Sequence, residues 1–173
     1  MTELATRSEA SARTKTFAWD DPMLDVEAAR SLSGFEFLTK MMEGAVPVPP
    51  VMKMIGFRLL KVERGAVAFE YDPHESHYNP IGSVHGGILT TVLDSVMGCC
   101  IHTTLPMGVG YTTLEVKVNF VRAVSAQSGV MQCEGSLIHS GSRVATSEAR
   151  IVDKQGKLYA HANTTCLILS PQP

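Results

Sequence analysis

The sequence predicts an α+β fold, an antiparallel sheet wrapped around one long buried helix. Three patterns carry that reading. The segment HGGILTTVLDSVMGCCIHTTL places apolar residues at 88, 89, 92, 93, 96, 97, 100 and 101, and a helix apolar nearly all round is a buried one. Four runs of strand character follow, over 112–121, 129–138, 143–152 and 157–169, through connections too short for crossover helices. Ahead of the helix, IGFRLLKV and AVAFEYD flank the turn ERG as a hairpin-like pair. Strands joined by short turns on one side of a helix give α+β layers rather than βαβ winding.

Composition narrows the function classes. A chain of 173 residues can bury one core. With 15 basic against 17 acidic side chains, it carries no general attraction for nucleic acid or an anionic membrane. Aromatics, at 6%, are too sparse for a base-stacking platform. No run of 18 apolar residues predicts a membrane span, and MTELATRSEASARTK lacks the apolar stretch of a secretory leader. A cytoplasmic protein is the expectation. Cys99, Cys100, Cys133 and Cys166 follow no CxxC spacing and read as reduced, buried thiols. The histidines form no HxxxH or HExxH arrangement, so no metal is expected.

Taken in order, residues 1–30 are rich in Ser, Thr, Ala, Asp and Glu and read as a flexible N-terminal arm. Residues 31–50 hold a short amphipathic helix over Ser33–Glu43, ended by the prolines of GAVPVPP. The main domain spans 51–170. It contains the strand pair, the turn-rich stretch PHESHYNPIGSV, the long helix, and the four later strands. In the first of these, Leu114, Val116, Val118 and Phe120 alternate with Thr113, Glu115, Lys117 and Asn119, the pattern of a strand with one covered face. SGS and DKQG supply hairpin turns. The sheet's open edges favour dimers or larger assemblies.

Asp94 is the anomaly. It sits mid-way along the most apolar helix, where an unpaired carboxylate is costly. Its helical neighbours Gly87, Thr90, Thr91 and Gly98 are small, with Met97 the exception, which leaves room for a ligand to approach. Such an acid is either a general base or nucleophile, or a structural group bonded to a neighbouring element. His85, Gly86 and Gly87 stand where the helix begins, and free first-turn N–H groups suit a carbonyl oxygen that gains charge during attack. His85 could equally be a helix cap. Asn79 could orient a water or carbonyl, or hold the Asn-Pro turn.

The nine-residue step from His85 to Asp94 spans about 13 Å of helix and roughly two and a half turns. The two side chains therefore point to opposite sides. If both serve one substrate, the helix start must come from one subunit and the acid from another.

The pattern Asn79-x5-His85-Gly86-Gly87-x6-Asp94, followed by TTLEVKVNFVRAV, resembles the hotdog-fold acyl-CoA thioesterases of the phenylacetate-pathway (PaaI-like) type. The resemblance covers about Val51 to Leu169. It implies a helix wrapped by an antiparallel sheet, assembled as homodimers with shared active sites and as homotetramers. It implies hydrolysis of an acyl-CoA to free acid and CoA, with no cofactor beyond the CoA of the substrate. Asp94 would attack, or activate water, at a thioester carbonyl polarised by the N–H of Gly86 or Gly87. Asn79 and His85 would position carbonyl or water, and Thr113, with Thr112 the alternative, would help hold the water. Phe120, Val121 and Arg122, with the hairpin Ser140, Gly141, Ser142 and Arg143, would line the CoA channel. The family often carries two basic residues in that hairpin, where this chain has Ser142 then Arg143. Arg122 and Arg143 also read as solvated strand ends.

Two other readings compete. One is a hotdog dehydratase or hydratase acting on acyl-CoA; the other is a non-catalytic acyl-CoA-binding module. Leu105, Met97 and Met107 could line an acyl pocket or simply pack the core.

Overall fold

A computed structural model describes residues 12–169. Six strands form a single sheet in the order β1-β2-β4-β5-β6-β3, every neighbouring pair antiparallel. The strands are β1 Phe57–Glu63, β2 Ala66–Tyr71, β3 Gly110–Phe120, β4 Met131–Ser140, β5 Val144–Val152 and β6 Leu158–Leu169. The helices are α1 Pro22–Ser31, α2 Gly34–Met42, α3 Pro50–Ile55 and α4 Gly86–His102. No described helix is long and apolar enough to cross a membrane.

α4 lies on one face of the sheet. Leu89, Val92, Leu93, Val96, Met97, Cys100 and Ile101 bury on it. All but Ile101 share one core cluster with Phe69, Met131, Cys133, Ala149, Ile151 and Ala162 of the strands, while Ile101 packs with Ala145 and Cys166. Alternation along β5 shows the pleat: Ala145, Ser147, Ala149 and Ile151 are buried while Glu148 and Arg150 face out. Close contact needs a residue without a side chain. A Cβ on Gly135 would stand 2.8 Å from Cys100 Sγ, so glycine lets α4 settle onto β4. The central helix wrapped by an antiparallel sheet is the architecture that the sequence predicts.

Three local features depart from the sequence reading. The span read as a loose arm ends in a helix, because Asp21 accepts the Met23 N–H and Pro22 suits the first helical turn. Residues 1–11 of that arm lie outside the described residues. α3 was not foreseen; Pro50 starts it and Gly56, at φ 83°, ends it in the left-handed conformation. The four strands after α4 are not a simple run of hairpins either. β3 pairs with β6, and the chain then crosses through residues 121–130 to place β4 beside β2. A connection of that length can span the intervening strands, so sequence neighbours need not pair. β1 and β3 are consequently the two edges.

α2 forms where expected. Ser33 accepts the Glu36 N–H while Glu36 reaches back to the Ser33 backbone N–H, closing a capping box. The helix docks on the C-terminal end of α4: the Gly34 N–H donates to the Leu105 carbonyl at 3.1 Å, and Phe37 meets the His102 ring.

Candidate active site

The site is built along the seam between α4 and the edge strand β3. At the start of α4, His85 is extended (φ −61°, ψ 134°) and its Nδ1 accepts the Gly87 N–H at 2.9 Å. The His85 carbonyl takes the Ile88 N–H. Gly87 is therefore capped, whereas the Gly86 N–H has no acceptor among the described residues. Of the two donors the sequence left open, Gly86 is the free one. The Phe120 ring of β3 packs close against it, and a Cβ there would lie 2.9 Å from Phe120 Cζ.

A cleft of about 310 Å³ opens beside this helix start, lined by Asn79, Gly86, Leu89, Phe120, Val121 and Arg122 among others. Asn79 faces it from a tight loop. Its Oδ1 accepts the N–H groups of Ile81 and Ser83, and its Nδ2 donates to Ser83 Oγ at 3.2 Å. Holding the turn is thus a role Asn79 visibly performs, and one amide hydrogen remains for the cleft.

Asp94 is half-buried, two turns further along α4. Thr113 Oγ1 donates to its Oδ1 at 3.0 Å. Oδ2 has no hydrogen-bond or ion-pair partner among the described residues. Thr112 is exposed, on the other side of the strand pleat. The helix's own hydroxyls are used locally: Thr90 and Thr91 donate to the carbonyls of Gly86 and Gly87, and Ser95 to that of Thr91. Met97 and Leu105 are core residues, and Met107 is exposed.

Only part of the room expected around Asp94 is open. The position of a Cβ on Gly98 is only 2.5 Å from the Tyr111 hydroxyl, so the tyrosine ring fills that gap. Tyr111 escaped the sequence reading, although it lies two residues from Thr113 and so shares its strand face. Burial pushes the Tyr111 phenol well above its usual range, with Cys99, Cys166 and Asp94 adding charge effects. Burial likewise raises the thiols of Cys99 and Cys166, and the Asp94 charge reinforces both shifts. Neither thiol is a ready nucleophile. Among the described residues, no three His, Cys, Asp or Glu converge to hold a metal.

One chain does not bring all the expected residues together. Gly86 and Asp94 both face β3, at Phe120 and Thr113, yet lie about 12 Å apart along the helix axis. The hairpin of Ser140, Gly141, Ser142 and Arg143 sits at the other end of α4, where Ser140 Oγ is 3.4 Å from Thr104 Oγ1. Over 17 residues, that is about 25 Å from the cleft that Phe120, Val121 and Arg122 line. The Arg122 guanidinium donates to the Leu158 carbonyl, and Arg143 is exposed.

The fold is shared with known proteins. The thioesterase superfamily model matches residues 81–160. The solved structure of a candidate thioesterase, a phenylacetic acid degradation-related protein of Ralstonia eutropha JMP134, is 30% identical. It aligns over 75% of this chain and 98% of its own, with a TM-score of 0.69. A candidate esterase of Saccharolobus solfataricus is 28% identical over 69% of this chain and 83% of its own length. A 1,4-dihydroxy-2-naphthoyl-CoA hydrolase of Listeria monocytogenes is 22% identical over 68% of this chain and 94% of its own. The chain belongs to the thioesterase superfamily and has its hotdog fold.

Proposed function

We propose that the protein hydrolyses acyl-CoA thioesters, with Asp94 as the reacting acid. The observation that carries this is the state of Asp94: half-buried, oriented by one neutral donor, Thr113, and left with a free Oδ2. A carboxylate kept only for stability would be expected to have its second oxygen satisfied as well. The name of the Listeria relative, a CoA-thioester hydrolase, supports the substrate class.

In this reading the Gly86 N–H, at the positive end of α4, donates to the thioester carbonyl oxygen. Asp94 Oδ2 takes a proton from water, whose oxygen bonds to the carbonyl carbon. The tetrahedral intermediate collapses, the carbon–sulfur bond breaks, and the CoA sulfur leaves with a proton returned by Asp94. Direct attack by Asp94 on the carbonyl carbon is the variant in which an anhydride precedes water. No cofactor takes part in either. Because donor and acid stand about 12 Å apart in one chain, each site takes Gly86 from one copy and Asp94 from another. The exposed edge β3, with Leu114 at 60% and Phe120 at 52% exposure, is the surface we assign to the dimer contact. Pairs of dimers would form the tetramer. Arg122, and Arg143 from the hairpin end of a neighbouring copy, are the groups assigned to CoA phosphates.

The test is thiol release from an acyl-CoA panel, followed with a thiol reagent. Asp94→Asn and Asp94→Ala should lower kcat by about two orders of magnitude or more with folding intact. Unchanged turnover in both variants refutes the catalytic role. Thiol release also separates this activity from hydration of the acyl chain, which leaves the thioester intact.

A further inference from the structure

A second buried polar cluster lies on the loop that leads into α4. His77, only 6% exposed, ends the short helical turn Glu75–His77. Its Nδ1 is 2.9 Å from the Tyr71 hydroxyl and its Nε2 is 3.0 Å from Lys15 Nζ. The Tyr71 ring stacks on the imidazole, and the His74 ring meets it edge-on, both at 5.9 Å. The His74 backbone N–H can only donate, so Nδ1 is an acceptor and the Tyr71 hydroxyl donates to it as well. The bond from His74 is the longer of the two, at 3.3 Å. The imidazole is thus clamped at one end by β2 and at the other by the N-terminal segment.

The backbone of the same residue reaches the helix start. The His77 carbonyl accepts the His85 N–H at 2.8 Å, and Tyr78 bridges Val84 beside it. His85 is the residue whose ring caps Gly87 and whose successor is the free donor Gly86. A shift in the His77 ring therefore moves the carbonyl that fixes where α4 begins.

We propose that His77 is a positioning residue for the Gly86 donor, locked in place by Lys15 from the N-terminal segment. This rests on the reading of Gly86 as the carbonyl donor. A donor must lie about 2.7–3.1 Å from the oxyanion, so small displacements cost rate rather than ground-state binding. The N-terminal segment has further ties that hold Lys15 near: Arg13 pairs with Glu75, and Lys53 with Asp20 at 2.8 Å. Burial, followed by the nearby charges of Lys15 and His74, keeps the His77 ring neutral, with its pKa lowered to about 4 against the pull of Asp72. A neutral ring is what leaves Nδ1 able to accept the bonds from His74 and Tyr71.

The experiment compares Lys15→Met, His77→Ala and His77→Asn in the full chain, with phenylacetyl-CoA and hexanoyl-CoA as probes. Lys15→Met and His77→Ala should lower kcat about tenfold while KM stays within about twofold. Amide exchange at His85 should quicken about tenfold, while that at Val96, deep in α4, stays unchanged. His77→Asn keeps a side-chain acceptor for the His74 N–H and the Tyr71 hydroxyl and should return kcat to within about threefold of the parent. Parental kcat and parental His85 exchange in both Lys15→Met and His77→Ala would overturn the proposal. A loss confined to His77→Ala removes Lys15 from it. If the parent releases no thiol from either probe, the reading of the site has failed, and the His85 exchange rates still judge the link from Lys15 through His77.

Discussion

Thr113 on the edge strand donates its hydroxyl to Asp94 in the middle of the central helix, across 3.0 Å. The bond ties an edge strand to the central helix, and it fixes which carboxylate oxygen is occupied. It also orders the side chain without neutralising it, as a neighbouring lysine or arginine would.

Replacing Thr113 should therefore act on turnover more than on folding. Thr113→Val keeps the shape and removes the donor, and kcat is expected to fall about tenfold with KM little changed. Thr113→Ser keeps the hydroxyl and should stay within about threefold of the parent. Steady-state thiol-release kinetics on the three proteins check this. Equal kcat in Thr113→Val and the parent would show that the bond has no part in the chemistry.

Stability should fall as the medium is acidified below about pH 6.5. The His77 pKa is lowered to about 4 in the fold, chiefly by burial, and burial lowers that of His102 too. An unfolded histidine titrates near pH 6.5, so between about pH 6.5 and 4 the unfolded chain binds more protons than the folded one. The contribution is fully present above that window and is lost as pH drops through it. Urea midpoints measured from pH 7.5 to 4.5 should decline. The decline should be shallower in His77→Asn, which cannot take up that proton. A midpoint independent of pH in the parent would contradict the burial of both rings.

Most of the fold was legible because its signals are local. The helix of apolar positions from Ile88 to Ile101 survives as α4, whereas the alternation in β3 holds only at Val116 and Val118. A bulge between Thr113 and Glu115 turns Thr113 toward Asp94 and leaves Leu114, like Phe120, exposed. Strand partners were less so, since β3 pairs with β6 across at least 40 residues and no turn chemistry announces it. α3 was hidden because six residues give too little periodicity, leaving only Pro50 and Gly56 as markers. At the site, Thr113 came from the family resemblance alone, while Asp94 stood out as a residue type at odds with its surroundings and Gly86 as part of a glycine pair at a helix start. Tyr111 and His77 did not, because an aromatic at a strand start and a histidine in a loop look ordinary until the fold places Gly98 or Tyr71 against them.

The central claim is that Gly86 of one copy and Asp94 of another act on a single thioester. Gly86→Pro is suited to testing it: the position is the first of α4, where proline fits, and His85 already has the extended backbone that precedes proline. The substitution removes the N–H, and the exposed Phe120 ring can yield to it. Gly86→Pro and Asp94→Ala should each be nearly inactive alone. Unfolded and refolded together in equal amounts, they should regain about a quarter of parental thiol release, because half the dimers are mixed and each holds one intact site. Activity no higher than the average of the two separate variants would contradict a site shared between chains.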